Sequence, residues 1–266
     1  FYSRDENRPM DYLYGTDIVY DGEPNGTERH SNMISAYHST GNIASVHWSL
    51  LYHTISTANT IIDRLPVSEV SEEQKTIAEA KARFFRGFAY RTLTYLYGGV
   101  PLLLTEVIEP KFEYVRASKE EVLRQALTDV EFAAAHLPSL SSVQDGEVSN
   151  AAAYHLLSEL YLATAQYQKA VDAATTVIDD PATGLMYTRF GSRANELPGD
   201  VYWDLFRKNN QNRSSGNTEG IWVIQIETDT PGGSGSLTAK DQTYTLERHH
   251  APMVRDVKAH GMNPFS

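Results

Sequence analysis

The chain has 266 residues, of which 41% are hydrophobic and 21% charged, a composition typical of a folded globular protein. Its net charge of −11, with no run of three Lys or Arg residues, argues against a nucleic-acid backbone or an anionic membrane surface as partner. The lack of cysteine excludes disulfides, cysteine-ligated zinc and a thiol nucleophile, and no stretch of 18 apolar residues is present to span a bilayer.

Residues 1–44 are polar and rich in turn-forming residues and tyrosine, which predicts a mostly irregular segment. The stretch MDYLYGTDIVYDG supplies Tyr12, Tyr14 and Tyr20, and Arg29, His47 and Trp48 follow it. Flat aromatic faces next to groups that form directed hydrogen bonds suit a sugar or peptide site. The alternative is that these tyrosines only anchor the segment to the helices. Because Trp48 heads an apolar stripe, the pattern favours a place for it in the core.

Apolar residues at helical spacing predict an amphipathic helix that ends at Pro66. Its stripe consists of Trp48, Leu51, Ile55, Ala58, Ile62 and Leu65. A capping box, Ser71 with Gln74, then begins a second helix. The stripe of that helix consists of Ala78, Ala82, Phe85, Ala89, Leu93 and Leu96. We expect a core helix that ends where Gly98-Gly99 permit positive backbone angles and Pro101 prevents continuation.

A second capping box, Ser118 with Glu121, precedes a third helix that Pro138 ends. Its stripe consists of Leu123, Ala126, Val130, Ala133 and Leu137. From Ser149 onward the pattern predicts two helices hinged near Ala165-Gln166. Their predicted apolar positions are Tyr154, Leu157, Leu160, Tyr161, Ala170, Ala173, Ala174, Val177 and Ile178. This helix–turn–helix pair looks like a tetratricopeptide unit.

Beyond residue 180 the sequence changes character. A polar loop, KNNQNRSSGNTEG, precedes IWVIQIET, whose β-branched and aromatic residues predict a short strand. The chain then stops without a terminating element, which predicts a further C-terminal part.

The sequence carries no motif of a catalytic or cofactor site. The motifs H-E-x-x-H, G-x-S-x-G, G-x-G-x-x-G and the P-loop are absent, and His249-His250 are adjacent, a spacing that suits a metal site poorly. We therefore expect no cofactor, no metal and no catalytic residue. Carboxylates are numerous, so the pattern leaves open a paired acid/base site.

Residues 82–102 closely resemble the SusD/RagB family, surface-exposed outer-membrane lipoproteins that capture nutrients in Gram-negative bacteria. The resemblance lies in ARFFRGFAY, then Leu93, and in the exit YGGVPL. The family pattern is E-A-[KR]-F-L-R-A, followed by an aromatic residue, a leucine and Y-G-[GD]-V-P-L. Here Lys81 occupies the leading acid position and Gly87 replaces the usual alanine. A W-x3-Y-x2-I-x2-A-N match from Trp48, the helix pair and the loop before IWVIQIET extend the resemblance over residues 12–230.

The resemblance implies a mainly α, tetratricopeptide-like helical repeat scaffold with irregular loops and a few short β-strands. It further implies a single SusD-like domain over 1–266, incomplete at its C-terminus. Within it, residues 1–44 would form an irregular ligand-side segment, 45–180 the helical scaffold, and 181–266 loops and short strands.

The function implied is non-catalytic capture of oligosaccharides or polysaccharides at the cell surface, for import through a SusC-like TonB-dependent transporter. The membrane would be reached only through a lipid anchor on a cysteine upstream of Phe1, which this chain lacks. Asp17 stands where the family often has an Asp ahead of the tryptophan helix. The candidate ligand-binding residues are thus Tyr12, Tyr14, Asp17, Tyr20, Arg29 and Trp48. The alternatives are a RagB-like peptide-binding lipoprotein, a tetratricopeptide-type protein–protein scaffold and a glycoside hydrolase.

Overall fold

The computed structural model describes residues 42–225, and helices predominate among them. The chain divides into two compact units, residues 1–50 with 226–266 and residues 51–225. Helix α1 (Asn42–Arg64) spans residues of both units, and the other described elements belong to the second. The predicted single domain with internal boundaries at 44 and 180 stays a prediction. Across residues 42–225, every helix is too short or too polar to serve as a transmembrane segment.

The helices of the second unit follow one another as a packed series. They are α2 (Glu72–Tyr97), α3 (Lys119–His136), α4 (Asn150–Ala163), α5 (Tyr167–Ile178) and the short α6 (Val201–Leu205). Short 3-10 helices lie at Leu65–Val67, Leu140–Ser142 and Arg213–Ser215. From α2 to α5, each helix packs against the next. The turn between α4 and α5 falls at Ala165-Gln166, as predicted. The prediction of a mainly α, tetratricopeptide-like fold is confirmed.

The core is built from the small and aliphatic side chains of these helices. The whole predicted stripe of α3, from Leu123 to Leu137, is buried, and so are Leu51, Ile55 and Ala58 of α1. Trp48 was expected in the core, yet 37% of it is exposed, whereas the preceding His47 is 2% exposed. The buried face of α1 therefore passes through His47 and Leu51, one position away from the tryptophan.

The buried face of α2 also differs from the predicted stripe. Phe84 is fully buried, whereas Phe85 is half-buried and Leu96 is 40% exposed. The reason is that α2 is covered on two sides, by α3 and by Trp222, so its buried face is wider than one stripe. At the end of α5, Ile178 is likewise exposed rather than buried.

Both predicted capping boxes are present. The Ser71 hydroxyl accepts from the Gln74 backbone N–H and the Gln74 side chain accepts from the Ser71 N–H, which starts α2. Ser118 and Glu121 repeat the arrangement at the start of α3, with the Glu121 carboxylate 2.8 Å from the Ser118 nitrogen. Each box satisfies backbone donors that the first helical turn leaves unpaired.

A buried ion pair ties α2 to α3. The Arg86 guanidinium donates to both carboxylate oxygens of Asp129, at 2.8 and 2.7 Å, and both side chains are almost fully buried. Arg86 also donates to Asn59 Oδ1 at 2.8 Å and to the Leu104 carbonyl at 3.2 Å. The charge is thus surrounded by acceptors, as a buried guanidinium requires.

The same network holds the extended segment that follows α2. The Asn59 amide donates to the carbonyls of Leu103 and Thr105, and the Tyr90 hydroxyl donates to the Leu103 carbonyl at 2.8 Å. The Tyr52 hydroxyl donates to the Pro101 carbonyl at 2.7 Å. Burial raises the pKa of Tyr90 to about 12. Side chains of α1 and α2 therefore hold the backbone of this segment in place.

The two glycines that end α2 serve different purposes. Gly98 has φ 73°, in the region that favours glycine, and donates to the Thr94 carbonyl at 3.0 Å. Gly99 was also expected at a positive angle but is not among the residues with positive φ. A Cβ at Gly99 would lie 2.2 Å from the Ala117 carbonyl oxygen, so this glycine permits close approach of two backbone segments.

The predicted strand beginning at Ile221 does not form over residues 221–225, and the rest of it lies outside the described residues. Instead of pairing in a ladder, Ile221 and Trp222 pack on the helical core. The Gln225 side chain exchanges hydrogen bonds with the Asn212 side chain. Within residues 42–225 the strand-like pairing is a single bridge between Pro101 and Arg116.

Candidate binding cleft

One of the six predicted site residues, Trp48, lies within the described part of the chain. Tyr12, Tyr14, Asp17, Tyr20 and Arg29 lie outside the described residues. Trp48 lies on α1 with 37% of its surface exposed, which leaves part of it accessible to a ligand. A joint site formed by these six residues stays a prediction.

A cleft of about 390 Å³ lies between α2, α4 and the segment around Trp222. Neither the helical stripes nor the motifs pointed to it. It is lined by Phe84, Phe88, Arg91, Ala152, His155, Leu156, Glu159, Glu219, Gly220, Ile221 and Trp222. Clefts of this size that combine apolar walls with a few polar groups are the usual form of small-ligand sites.

Trp222 forms an aromatic wall of the cleft and is held on several sides. Its ring packs edge-on against Phe84 and Phe85, with both centroid distances 5.8 Å. Its indole N–H donates to the Gly146 carbonyl at 3.1 Å. These contacts fix the orientation of the ring, which remains half-buried and borders the cleft.

Arg91 and Glu159 form the polar side of the cleft. The Arg91 guanidinium donates to the Glu159 carboxylate at 2.5 Å, and their side chains are 22% and 37% exposed. The guanidinium also lies over the Tyr95 ring, 4.7 Å from its centroid. Its Nε is buried and has no hydrogen-bond partner among the described residues. Arg91 is therefore held in place while part of its donor capacity is unused.

Two further polar residues border the cleft. His155 is exposed on α4, and the Glu219 carboxylate accepts from the Met186 backbone N–H at 2.8 Å. The cleft thus offers aromatic faces, a guanidinium, an imidazole and two carboxylates. This set can bind a polyhydroxylated ligand by stacking and by hydrogen bonds. Over residues 42–225 no group of three or more His, Asp or Glu side chains is arranged to hold a metal ion.

The chain belongs to the SusD-like family described as starch-binding and associating with the outer membrane, whose sequence pattern matches residues 17–162. The match runs through α1, α2 and α3 and includes most of α4.

Individual relatives agree with this assignment. A curated relative, SusD-like protein P2 of Formosa agariphila, is 28% identical over 142 residues, which are 53% of this chain and 28% of the relative. A SusD-like carbohydrate-binding protein of Bacteroides fragilis superimposes with a TM-score of 0.66 at 20% identity, covering 90% of this chain and 44% of that one. A laminarin-binding SusD-like protein gives a TM-score of 0.51 at 27% identity, covering 55% and 34%. The chain therefore spans less than half the length of these relatives.

Proposed function

We propose that this chain is part of a non-catalytic cell-surface protein that captures oligosaccharides or polysaccharides. The observation that carries the proposal is the family match over residues 17–162, within a family described as starch-binding. A structural neighbour that is named for laminarin binding supports the same class of ligand. The aromatic and polar lining of the cleft is the chemistry that such a ligand needs.

The proposal extends to the cellular setting. The protein acts at the outer membrane, which its family description names, as a lipoprotein anchored by its N-terminal region. It delivers the glycan to a SusC-like TonB-dependent transporter. Both statements rest on membership of the family.

The cleft is the part of the described structure that we assign to the ligand. Trp222 provides the stacking surface, and Arg91 and Glu159 provide a donor and an acceptor for sugar hydroxyls. The N-terminal part is predicted to contribute a further set of ligand-binding residues: Tyr12, Tyr14, Asp17, Tyr20, Arg29 and Trp48.

A peptide ligand is the second candidate. Two carboxylates, Glu159 and Glu219, line the cleft, and such groups bind the amide and amino groups of peptides as readily as hydroxyls. The family resemblance includes the RagB branch, so a peptide is a defined alternative outcome of the binding test.

Native gel electrophoresis with embedded polysaccharide tests the proposal directly. We expect the mobility of the 266-residue chain to be retarded by at least one of laminarin, starch, xylan, mannan or fructan. Arg91→Ala should weaken the retardation, whereas Arg124→Ala, an exposed arginine of α3 outside the cleft, should not. Normal mobility with every polysaccharide would contradict the proposal, and release of reducing sugar would contradict the non-catalytic assignment.

A further inference from the structure

Helix α6 presents two exposed aromatic rings on one side. Tyr202 is 68% exposed and Phe206 is 73% exposed. They are four residues apart, so they are neighbours on the helix surface, and their ring centroids are 5.0 Å apart at an interplanar angle of 59°. Two adjacent exposed rings offer apolar faces on which a ligand can stack.

The other side of α6 is fixed to the protein. Asp204 is fully buried and accepts from Arg189 Nε at 2.5 Å and from the Phe190 backbone N–H at 3.2 Å. The Asn210 amide donates to the Asp204 carbonyl, and Asp200 caps the helix by accepting from the Trp203 N–H at 2.8 Å. The aromatic pair is therefore held in a defined place before any ligand arrives, which lowers the entropy cost of binding.

The residue after Phe206 in the chain, Arg207, is a cation that packs on Trp203. The Arg207 guanidinium stacks on the Trp203 ring, 3.3 Å from its centroid. Its Nε is buried without a hydrogen-bond partner, and residues 42–225 provide no acceptor for its other nitrogens. The other two arginines of this region are paired, Arg189 with Asp204 and Arg193 with Glu196. Because its Nε is buried, the terminal nitrogens of Arg207 are the ones that can donate to a ligand.

We propose that Tyr202, Phe206 and Arg207 form a second glycan-binding platform, separate in its residues from the cleft. The two rings stack on the apolar faces of sugar units, and Arg207 donates to hydroxyl oxygens. The glycan is a neutral one, because the chain as a whole carries a net charge of −11, which disfavours an anionic polysaccharide. The proposal rests on the proposed function.

A second site would increase binding to polymers more than to short oligosaccharides, because one polysaccharide chain can engage both sites at once. We expect Tyr202→Ala and Phe206→Ala each to weaken laminarin binding in native gels by about tenfold, the factor that corresponds to about 1.4 kcal/mol. The matched control is Tyr167→Ala, which removes a tyrosine of similar exposure (66%) at the start of α5 and should leave binding unchanged.

The outcomes separate this inference from the proposed function. If the unmodified chain binds no polysaccharide, both the proposed function and the α6 platform are contradicted. If the unmodified chain binds and the two α6 variants bind equally well, only the platform is contradicted. Stronger retention by polygalacturonate than by laminarin would overturn the neutral-glycan assignment. If a variant fails to fold, the platform is tested in the unmodified chain by measuring nitration of Tyr202 by tetranitromethane with and without laminarin. Protection by laminarin supports the platform, and unchanged nitration overturns it.

Discussion

The side chains that make the chain recognisable serve its fold. Arg86 lies in the family motif of α2 and Asn59 in that of α1, and both bind the same buried network around Asp129. Tyr90, from the same motif, fixes the segment after α2 through Leu103. These residues are buried or nearly so, and Arg86 and Tyr90 find their partners within the protein. The motif therefore identifies the family through an internal anchor.

Removing the carboxylate of this network should be costly. Asp129→Ala leaves the buried Arg86 guanidinium without its ionic partner, and we expect a loss of about 3–5 kcal/mol in the free energy of unfolding. Urea denaturation followed by circular dichroism measures it. Glu72→Gln, which breaks the exposed pair with Lys75, should cost less than about 1 kcal/mol. Equal effects of the two changes would show that the Asp129 pair is not an anchor.

Gly87, which departs from the family alanine, should not tolerate that alanine here. A Cβ at this position would lie 2.5 Å from Val130 Cγ2 and 3.1 Å from the Ala126 carbonyl oxygen. Gly87→Ala should therefore destabilise by about 1–3 kcal/mol, whereas alanine is favoured over glycine by about 0.5–1 kcal/mol in an unobstructed helix.

The double variant Gly87→Ala/Val130→Ala provides the control, because the smaller residue 130 makes room for the new methyl group. Its loss of stability should be smaller than the sum of the two single losses, measured in the same denaturation series. Additive losses, or a more stable Gly87→Ala protein, would rule out the steric explanation.

At the scale of elements, the starts of α2 and α3 use the same device with different chemistry. The α2 capping box closes with Gln74, a neutral side chain, and the α3 box closes with Glu121. The backbone N–H and the hydroxyl of Ser118 bind the Glu121 carboxylate and lower its pKa below the ordinary value of 4.5. Because the folded-state pKa is the lower one, the stabilisation is present above about pH 4.5 and is lost as the pH falls through the folded-state pKa.

Glu121→Gln should therefore remove a pH dependence while keeping the hydrogen bonds of the box. We expect the stability difference between the original protein and Glu121→Gln to shrink as the pH falls below about 4.5, measured by urea denaturation at a series of pH values. Gln74→Glu should introduce a similar pH dependence at α2. A stability difference between the two proteins that stays constant with pH would contradict the assignment of this pH dependence to Glu121.

What the sequence could predict was local. Helix limits followed from caps, prolines and apolar spacing, and each of these depends on neighbouring residues only. The burial of Phe84 did not, because it depends partly on Trp222, a residue far along the chain that packs against both Phe84 and Phe85. The prediction of a strand was wrong over residues 221–225 for a related reason: Ile221 and Trp222 pack on the helical core rather than in a ladder.

The cleft could not be predicted because its residues come from three separate segments. Phe88 and Arg91 belong to α2, Glu159 to α4 and Trp222 to the chain after α6, and no motif links them. The sequence instead pointed to the N-terminal tyrosines, and these lie outside residues 42–225. The resemblance predicted the class of protein, and the described structure adds a candidate surface for its ligand.

At the scale of the whole molecule, helices α2 to α5 form a scaffold that carries the aromatic cleft, and the proposed α6 platform is held by residues 189–210. The scaffold is held by buried contacts between successive helices and by the Arg86 network. The two candidate surfaces share no residue, and each combines aromatic rings with an arginine that has unused donors. This separation of a rigid frame from ligand-contacting side chains is what a binding protein requires.

Isothermal titration calorimetry of the 266-residue chain tests the central proposal, glycan capture, most directly. Oligosaccharides of the β-glucan, starch, xylan, mannan and fructan types are titrated in turn, with a mixed peptide library as the comparison. We predict saturable, exothermic binding of at least one oligosaccharide and none of the peptides. Saturable binding of peptides alone, or no heat with any oligosaccharide, would contradict the proposal.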